Sequence, residues 1–212
     1  MEEKPKNVEE YIAKWQDAVN LNPGCGHSRY NLAVGLIGLH RFEEAIEHLQ
    51  EALENSPNLA EAYAQLGAIA LHRGDLEGCL QYNRMGVNSR AGFSVGWANI
   101  GFCLLQKGEV EEAERALRKA IAYNPKFIQA YTSLASAYFM QGLIEESIEA
   151  CRKALELSPE FAVAHANLAL ALLEQGNAAE AAHHRDEARK YGYEVPEGLS
   201  AQIDAALQAD GG

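Results

Sequence analysis

The residues best equipped for chemistry stand near the start, in Asn22–Leu32, NPGCGHSRYNL, where one glycine separates Cys25 from His27. A thiol and an imidazole at that spacing can share a metal ion or form a nucleophile–base pair. A structural zinc takes four ligands, and here two are offered, with no partner acid evident, so neither metal binding nor thiol catalysis is expected. GCGHSR lacks the third glycine of G-x-G-x-x-G and follows a helical pattern instead of a strand, so it is not a nucleotide loop. Gly92–Gly96, GFSVG, matches G-x-S-x-G literally. A hydrolase elbow needs a strand before its serine, whereas this segment joins two helical patterns with Ser94 as the expected N-cap. His183 and His184 follow Glu180 by about one turn of helix, but H-E-x-x-H is missing, and a solvated helical face is expected. No nucleophile, base and orienting group can be assembled, so the chain reads as non-enzymatic, with no cofactor and no metal.

Whether the opening loop is special depends on whether it recurs, and it does. Pro23, Pro57, Pro125 and Pro159 share one 34-residue register. Blocks of 34 from Gly26 give repeats at 26–59, 60–93, 94–127, 128–161 and 162–195. The seventh position then reads Leu32, Leu66, Ile100, Leu134, Leu168, and the eighth Ala33, Gly67, Gly101, Ala135, Ala169. The twentieth reads Ala45, Cys79, Ala113, Ser147, Ala181, and the twenty-seventh Ala52, Gly86, Ala120, Ala154, Ala188. Large apolar residues beside small ones on two segments predict two closely pressed helices. Cys79 and Cys151 fall in inward columns, where cysteine acts as a small hydrophobe. The fifteenth position, His40, Gly74, Gly108, Gly142, Gly176, suits the left-handed residue that ends a first helix, a conformation histidine also visits. Proline at the thirty-second position stops the second helix. The opening loop is therefore a joint between repeats, with Ser28 available to cap the next helix.

The ends complete the array. Residues 1–7 read as a disordered N-terminus, 8–25 as a half repeat with a single helix, and 196–210 as a capping helix with Leu199, Ile203 and Leu207 on one stripe. Gly211 and Gly212 are expected to fray. The whole is one domain of repeated units, with terminal caps as such arrays require.

Helix, turn and antiparallel helix at period 34, clearest in Trp97–Pro125, WANIGFCLLQKGEVEEAERALRKAIAYNP, resembles the tetratricopeptide repeat. The resemblance implies an all-α, right-handed superhelical solenoid and a non-enzymatic scaffold whose first helices line a concave groove. In that family the groove columns are roughly the second, fifth, sixth, ninth, twelfth and thirteenth. The sixth column here reads Asn31, Gln65, Asn99, Ser133, Asn167. A primary amide both donates and accepts, as a peptide backbone requires. Asparagine is also common at this position across the family. Other groove columns supply Tyr30, Val34, Leu71, Phe102 and Phe139, suited to a partner with hydrophobic anchors or an amphipathic helix. Such residues serve equally to pack neighbouring helices. Family members that clamp a carboxylate tail use Lys or Arg in the second, fifth and sixth columns, and none stands there, so no chaperone tail is expected.

Bulk properties narrow the partners. A net charge of −12 over 212 residues disfavours nucleic acid and anionic membranes and tolerates a basic or neutral protein. No apolar run approaches ~20 residues, so no membrane insertion is expected. Four cysteines without C-x-x-C spacing, and no apolar leader, suggest a cytoplasmic setting. The leading function is capture of a protein or peptide in the groove, and the alternative is self-assembly into a homo-oligomer. One repeat is irregular: Asn83 occupies a normally apolar column, Gly86 a helical one, and Ala91 the proline position. Two readings fit, a soft point near Leu76–Gly96 or an Asn83 satisfied by a backbone group.

Overall fold

The structure, a computed structural model, describes residues 7–210; of the N-terminus expected to be disordered over 1–7 only Asn7 is described, as the N-cap of a helix, and residues 1–6 and 211–212 lie outside the described residues. Twelve helices and no strands occur among the described residues. They are α1 (Val8–Leu21), α2 (Gly26–Gly38), α3 (Phe42–Asn55), α4 (Ala60–His72), α5 (Leu76–Ser89), α6 (Ser94–Gln106), α7 (Val110–Tyr123), α8 (Ile128–Met140), α9 (Ile144–Leu157), α10 (Ala162–Glu174), α11 (Ala178–Lys190) and α12 (Glu197–Asp210). First helices begin at 26, 60, 94, 128 and 162, and second helices at 42, 76, 110, 144 and 178, all in the 34-residue register. The chain forms two compact units that meet at Cys103/Leu104, within α6.

Two kinds of turn build the repeat. First helices end on a left-handed residue: His40 (φ 57°), Gly74 (78°), Gly108 (76°), Gly142 (76°) and Gly176 (88°). The next N–H then reaches back to a carbonyl five residues earlier, as from Arg41 to Leu36, Asp75 to Ala70 and Leu143 to Tyr138, each at 2.9 Å. This satisfies a carbonyl the helix would leave orphaned. Before their prolines, α7 and α9 end on the extended residues Asn124 and Ser158, and α3 ends on Ser56 at φ −144°, ψ 76°, all outside the helical region that a following proline disfavours. Arg90 adopts the same extended form (φ −141°, ψ 111°) although Ala91 follows it. The last hairpin breaks the pattern: α11 ends through Gly192 at φ 86°, and the chain turns into α12.

In the first unit α2 pairs with α3 and α4 with α5, and α1 lies on α2. The core runs through Val19, Leu32, Leu36, Leu49, Leu66 and Ile69, with Ile12 and Trp15 of α1 packed against it. In the second unit α8 pairs with α9 and α10 with α11, around Leu117, Leu134, Ile148, Leu168 and Leu172. Each such leucine contributes roughly 1.5–3 kcal/mol when buried. The small residues predicted between paired helices are fully enclosed: Ala33, Ala45 and Ala52 in the first unit, and Ala120, Ala135, Ala154 and Ala169 in the second, are 0% exposed. Ser147, in the same seam, donates its hydroxyl to the Ala135 carbonyl at 2.9 Å. α12 buries Ile203 completely and seats Leu199 by Val195 and Ala188.

The irregular repeat is continuous. Asn83 is wholly buried, donates to the Cys79 carbonyl at 2.8 Å, and fills the space over Gly67, where a Cβ would sit 2.4 Å from its Nδ2. Of the two sequence readings, the satisfied asparagine is therefore observed. The serine caps are not. Cys25 is the N-cap of α2 with Ser28 inside its first turn, and Ser94 is the first residue of α6. A cap must precede the helix with non-helical dihedrals, and each serine lies past that point. Asn7 caps α1 through its side chain, accepting from the Glu10 N–H at 2.8 Å.

The left-handed turns give a paired prediction. Gly142 has open space around its missing Cβ, so Gly142→Ala costs only torsion, about 1–2 kcal/mol, while His40→Gly is expected to stabilise by up to about 1 kcal/mol. Urea denaturation of the two variants should show opposite signs.

Candidate functional site

The sixth-column amides are already engaged, and their engagement fixes which edge of each remains for a ligand. In the first unit, Tyr11 of α1 donates its hydroxyl to Asn31 Oδ1 at 3.4 Å. Gln65 of α4 hydrogen-bonds the Tyr30 hydroxyl, while burial of that phenol pushes its pKa up. Asn99 donates from Nδ2 to Asn83 Oδ1 at 2.9 Å. An Asn99–Asn83–Cys79 relay thus ties α6 to α5, and Asn83 spends both ends of its amide inside the fold. Among the described residues, the Asn31 nitrogen and the Asn99 oxygen take no further partner.

Beside Tyr30 and Asn31 a cavity of about 570 Å³ opens, walled by His27, the Ser56–Leu59 loop, Glu61 and Arg90. Arg90 pairs with Glu61 at 2.6 Å, and its guanidinium lies 4.7 Å from the Phe93 ring centre. The site therefore holds a fixed cation, which column reasoning did not foresee. Arg90 comes from the loop after α5, at the block position preceding the missing proline, and its longer reach was the available signal. Val34 and Leu71 are half-buried on α2 and α4, and Phe102 is 40% exposed on α6.

In the second unit, Asn167 of α10 donates from Nδ2 to α8, to the Thr132 carbonyl at 3.2 Å and Ser136 Oγ at 3.3 Å, which leaves its Oδ1 as an acceptor. Ser133 and Phe139 are half-buried on α8. A smaller, mainly apolar cavity of about 120 Å³ lies beside Asn167, lined by Ser136, Phe139, Met140 and Leu170. Met140 is 53% exposed at its rim.

The other chemically suggestive residues fare differently. Ser28, one turn on, donates its N–H to the Cys25 carbonyl at 3.1 Å, and its hydrogen-bonding groups beside the Cys25 thiol hold that thiol below its ordinary pKa. Burial pushes the Cys151 thiol up to about 12. Among the described residues no group of three or more His, Cys, Asp or Glu could hold a metal ion. The expectation of a solvated His183–His184 face is half corrected. His183 is exposed, but His184 turns inward onto His165, because α11 rotates that position towards α10.

The amide contacts make unequal demands on stability. Asn99→Ala strands the buried Asn83 Oδ1 and is expected to cost about 1–3 kcal/mol. Asn31→Ala loses one long, part-buried bond and should fall within about 0.5 kcal/mol. Chemical denaturation of both variants measures the difference.

Comparison with known proteins fits this geometry. Sequence profiles of the tetratricopeptide repeat match residues 27–59, 48–81, 104–160 and 150–183. No curated protein matches the chain. Similar solved structures include the APC/C hetero-tetramer Cut9–Hcn1 (TM-score 0.82, 18% identity, covering 95% of this chain and 40% of that one). They also include YrrB, described as a TPR protein with an unusual peptide-binding site (0.68, 18%, 94% and 99%). A third is pilF of Pseudomonas aeruginosa (0.76, 18%, 93% and 86%). The chain spans about two fifths of the Cut9–Hcn1 chain it matches, and at these identities the likeness concerns the fold. With its helices in one 34-residue register and those profile matches, the chain belongs to the tetratricopeptide-repeat family, an all-α repeat fold whose members generally serve as non-enzymatic scaffolds for protein–protein interaction.

Proposed function

We propose that the chain is a non-catalytic scaffold that holds an extended segment of a partner protein along the faces of its first helices. The observation that carries this reading is the directed remainder of the amide ladder. Asn31 keeps a donor nitrogen, whereas Asn99 and Asn167 keep acceptor oxygens. An extended backbone alternates carbonyl and N–H, so within the first unit it can meet the Asn31 donor and the Asn99 acceptor, and within the second the Asn167 acceptor. Gln65 and Ser133 complete the column, and Tyr30, Val34, Leu71, Phe102 and Phe139 supply apolar contact beside it. The 120 Å³ cavity beside Asn167 has room for one aliphatic side chain of the guest.

The net charge of −12 favours a neutral or basic partner over nucleic acid. No described helix is long and apolar enough to cross a membrane. The four cysteines without framework spacing support a cytoplasmic setting. Arg90 is bound to Glu61 and stands outside the columns used by carboxylate clamps, which argues against an acidic chaperone tail as the guest. YrrB's peptide-binding site is that protein's own, but it is a precedent for the same use of a similar fold.

Peptides selected from a random library on the full chain should bind Asn31→Ala/Asn167→Ala at least about tenfold more weakly, or ~1.4 kcal/mol. Glu47→Ala, on the exposed face of α3, should bind them as the natural chain does. Equal affinities for all three in fluorescence anisotropy would overturn the reading. Sedimentation showing an oligomer that captures no peptide would favour self-assembly in its place.

A further inference from the structure

His165, on α10, is buried at 6% exposure. Its Nε2 lies 2.9 Å from the Pro159 carbonyl oxygen, and its Nδ1 lies 2.9 Å from Nδ1 of His184 on α11. A carbonyl can only accept, so His165 carries its hydrogen on Nε2. The neutral ring then presents a lone pair at Nδ1, and His184 must supply the hydrogen between the two nitrogens. One arrangement satisfies the pair: His165 as the Nε2–H tautomer and His184 as the Nδ1–H tautomer. A proton added to His165 Nδ1 would confront the N–H of His184 head-on, so the closed pair accepts at most one extra proton where two separated imidazoles accept two.

From this geometry we infer that the His165–His184 pair is an acid-sensitive latch, which releases α11 and the capping helix α12 from α10 as the pH falls below that of an ordinary imidazole.

The charged and titratable surroundings favour release. From α9, Arg152 reaches over and pairs with Glu180 at 3.1 Å, so the carboxylate nearest His184, 4.0 Å from its Nε2, is already shared with a guanidinium. On α11 itself, His183 adds a second imidazole, its ring 5.1 Å from that of His184, and Glu187 is held by Lys190 at 2.9 Å. From the turn after α11, Tyr191 stacks on His165 at 5.6 Å, with the Lys190 ammonium 4.8 Å from the Tyr191 ring centre. Burial, joined by the His165 and His183 charges, pushes His184 down to about 4. A base whose folded value lies below its free value of ~6.5 contributes stability that is complete above ~6.5 and is lost as pH falls towards 4. Each proton excluded from the closed pair raises the opening equilibrium about tenfold per pH unit in that window. What opens is the cluster of Ala166, Ala188, Tyr193, Val195 and Leu199, through which α12 is seated.

Hydrogen exchange read by mass spectrometry on the full chain tests this, after correction for intrinsic rates. Protection across α11 and α12 should fall at least about tenfold between pH 7 and 5.5, reversibly, while α8 and α9 change less. In His184→Asn the amide nitrogen replaces Nδ1 as donor and can turn to offer its oxygen instead, so the same step in pH should move protection less than about threefold. An equal fall in His184→Asn, or none in the natural chain, overturns the latch. Should that variant fold poorly, nitrogen NMR of the natural chain at pH 7 decides: His165 as Nε2–H and His184 as Nδ1–H support the latch, and reversed tautomers refute it.

Discussion

Two helices approach only as closely as the side chains between them allow, and here that separation is set by residues no larger than alanine, cysteine or serine. Ala33, Ala45 and Ala52 in one unit, and Ala135, Ala154 and Ala169 in the other, are fully enclosed between paired helices. The seam brings backbones near enough for Ser147 to reach the Ala135 carbonyl across it. Leucines at the flanks, Leu32, Leu49, Leu117, Leu168 and Leu172, are then buried against them. Every other feature presumes this spacing: the length of the turns, the stacking of hairpins within each unit, and the distance between successive first-helix amides.

Where the seam departs from alanine, the departure is compensated locally. Gly67 opens a gap on α4, and Asn83 of α5 fills it with an amide. A buried amide is costly unless both ends are paired, and Cys79 and Asn99 pair them. The irregular repeat is therefore a coherent polar insert. It also draws Asn99 into the fold, so that this amide belongs at once to the core and to the candidate binding face.

The repeat was legible from the primary structure because its signals are local or strictly periodic. Positive φ at His40 follows from its place in a glycine column, and the small-residue columns mark the seam in the sequence itself. The direction of each groove amide was not legible. That direction depends on partners such as Tyr11, Thr132 and Asn83, which meet Asn31, Asn167 and Asn99 only through packing. His184 was misread for the same reason, since a polar residue on a late helix looks solvated until the facing histidine is known. The serine caps failed by a few residues, the scale on which helix ends are hardest to place.

One detail of the turns bears on how such arrays diversify. The joint at Arg90 keeps the extended shape of its proline-bearing counterparts although alanine follows it. The bend thus needs no proline, with Gly92 at φ 82° turning the chain in the same joint, and the residue type at its apex can differ from serine or asparagine. Elsewhere that apex carries a short serine or asparagine; here it carries an arginine that leans over a cavity. A joint of this kind offers evolution an editable address, where the charge of a recognition surface can be rewritten by one codon while the scaffold beneath is left alone.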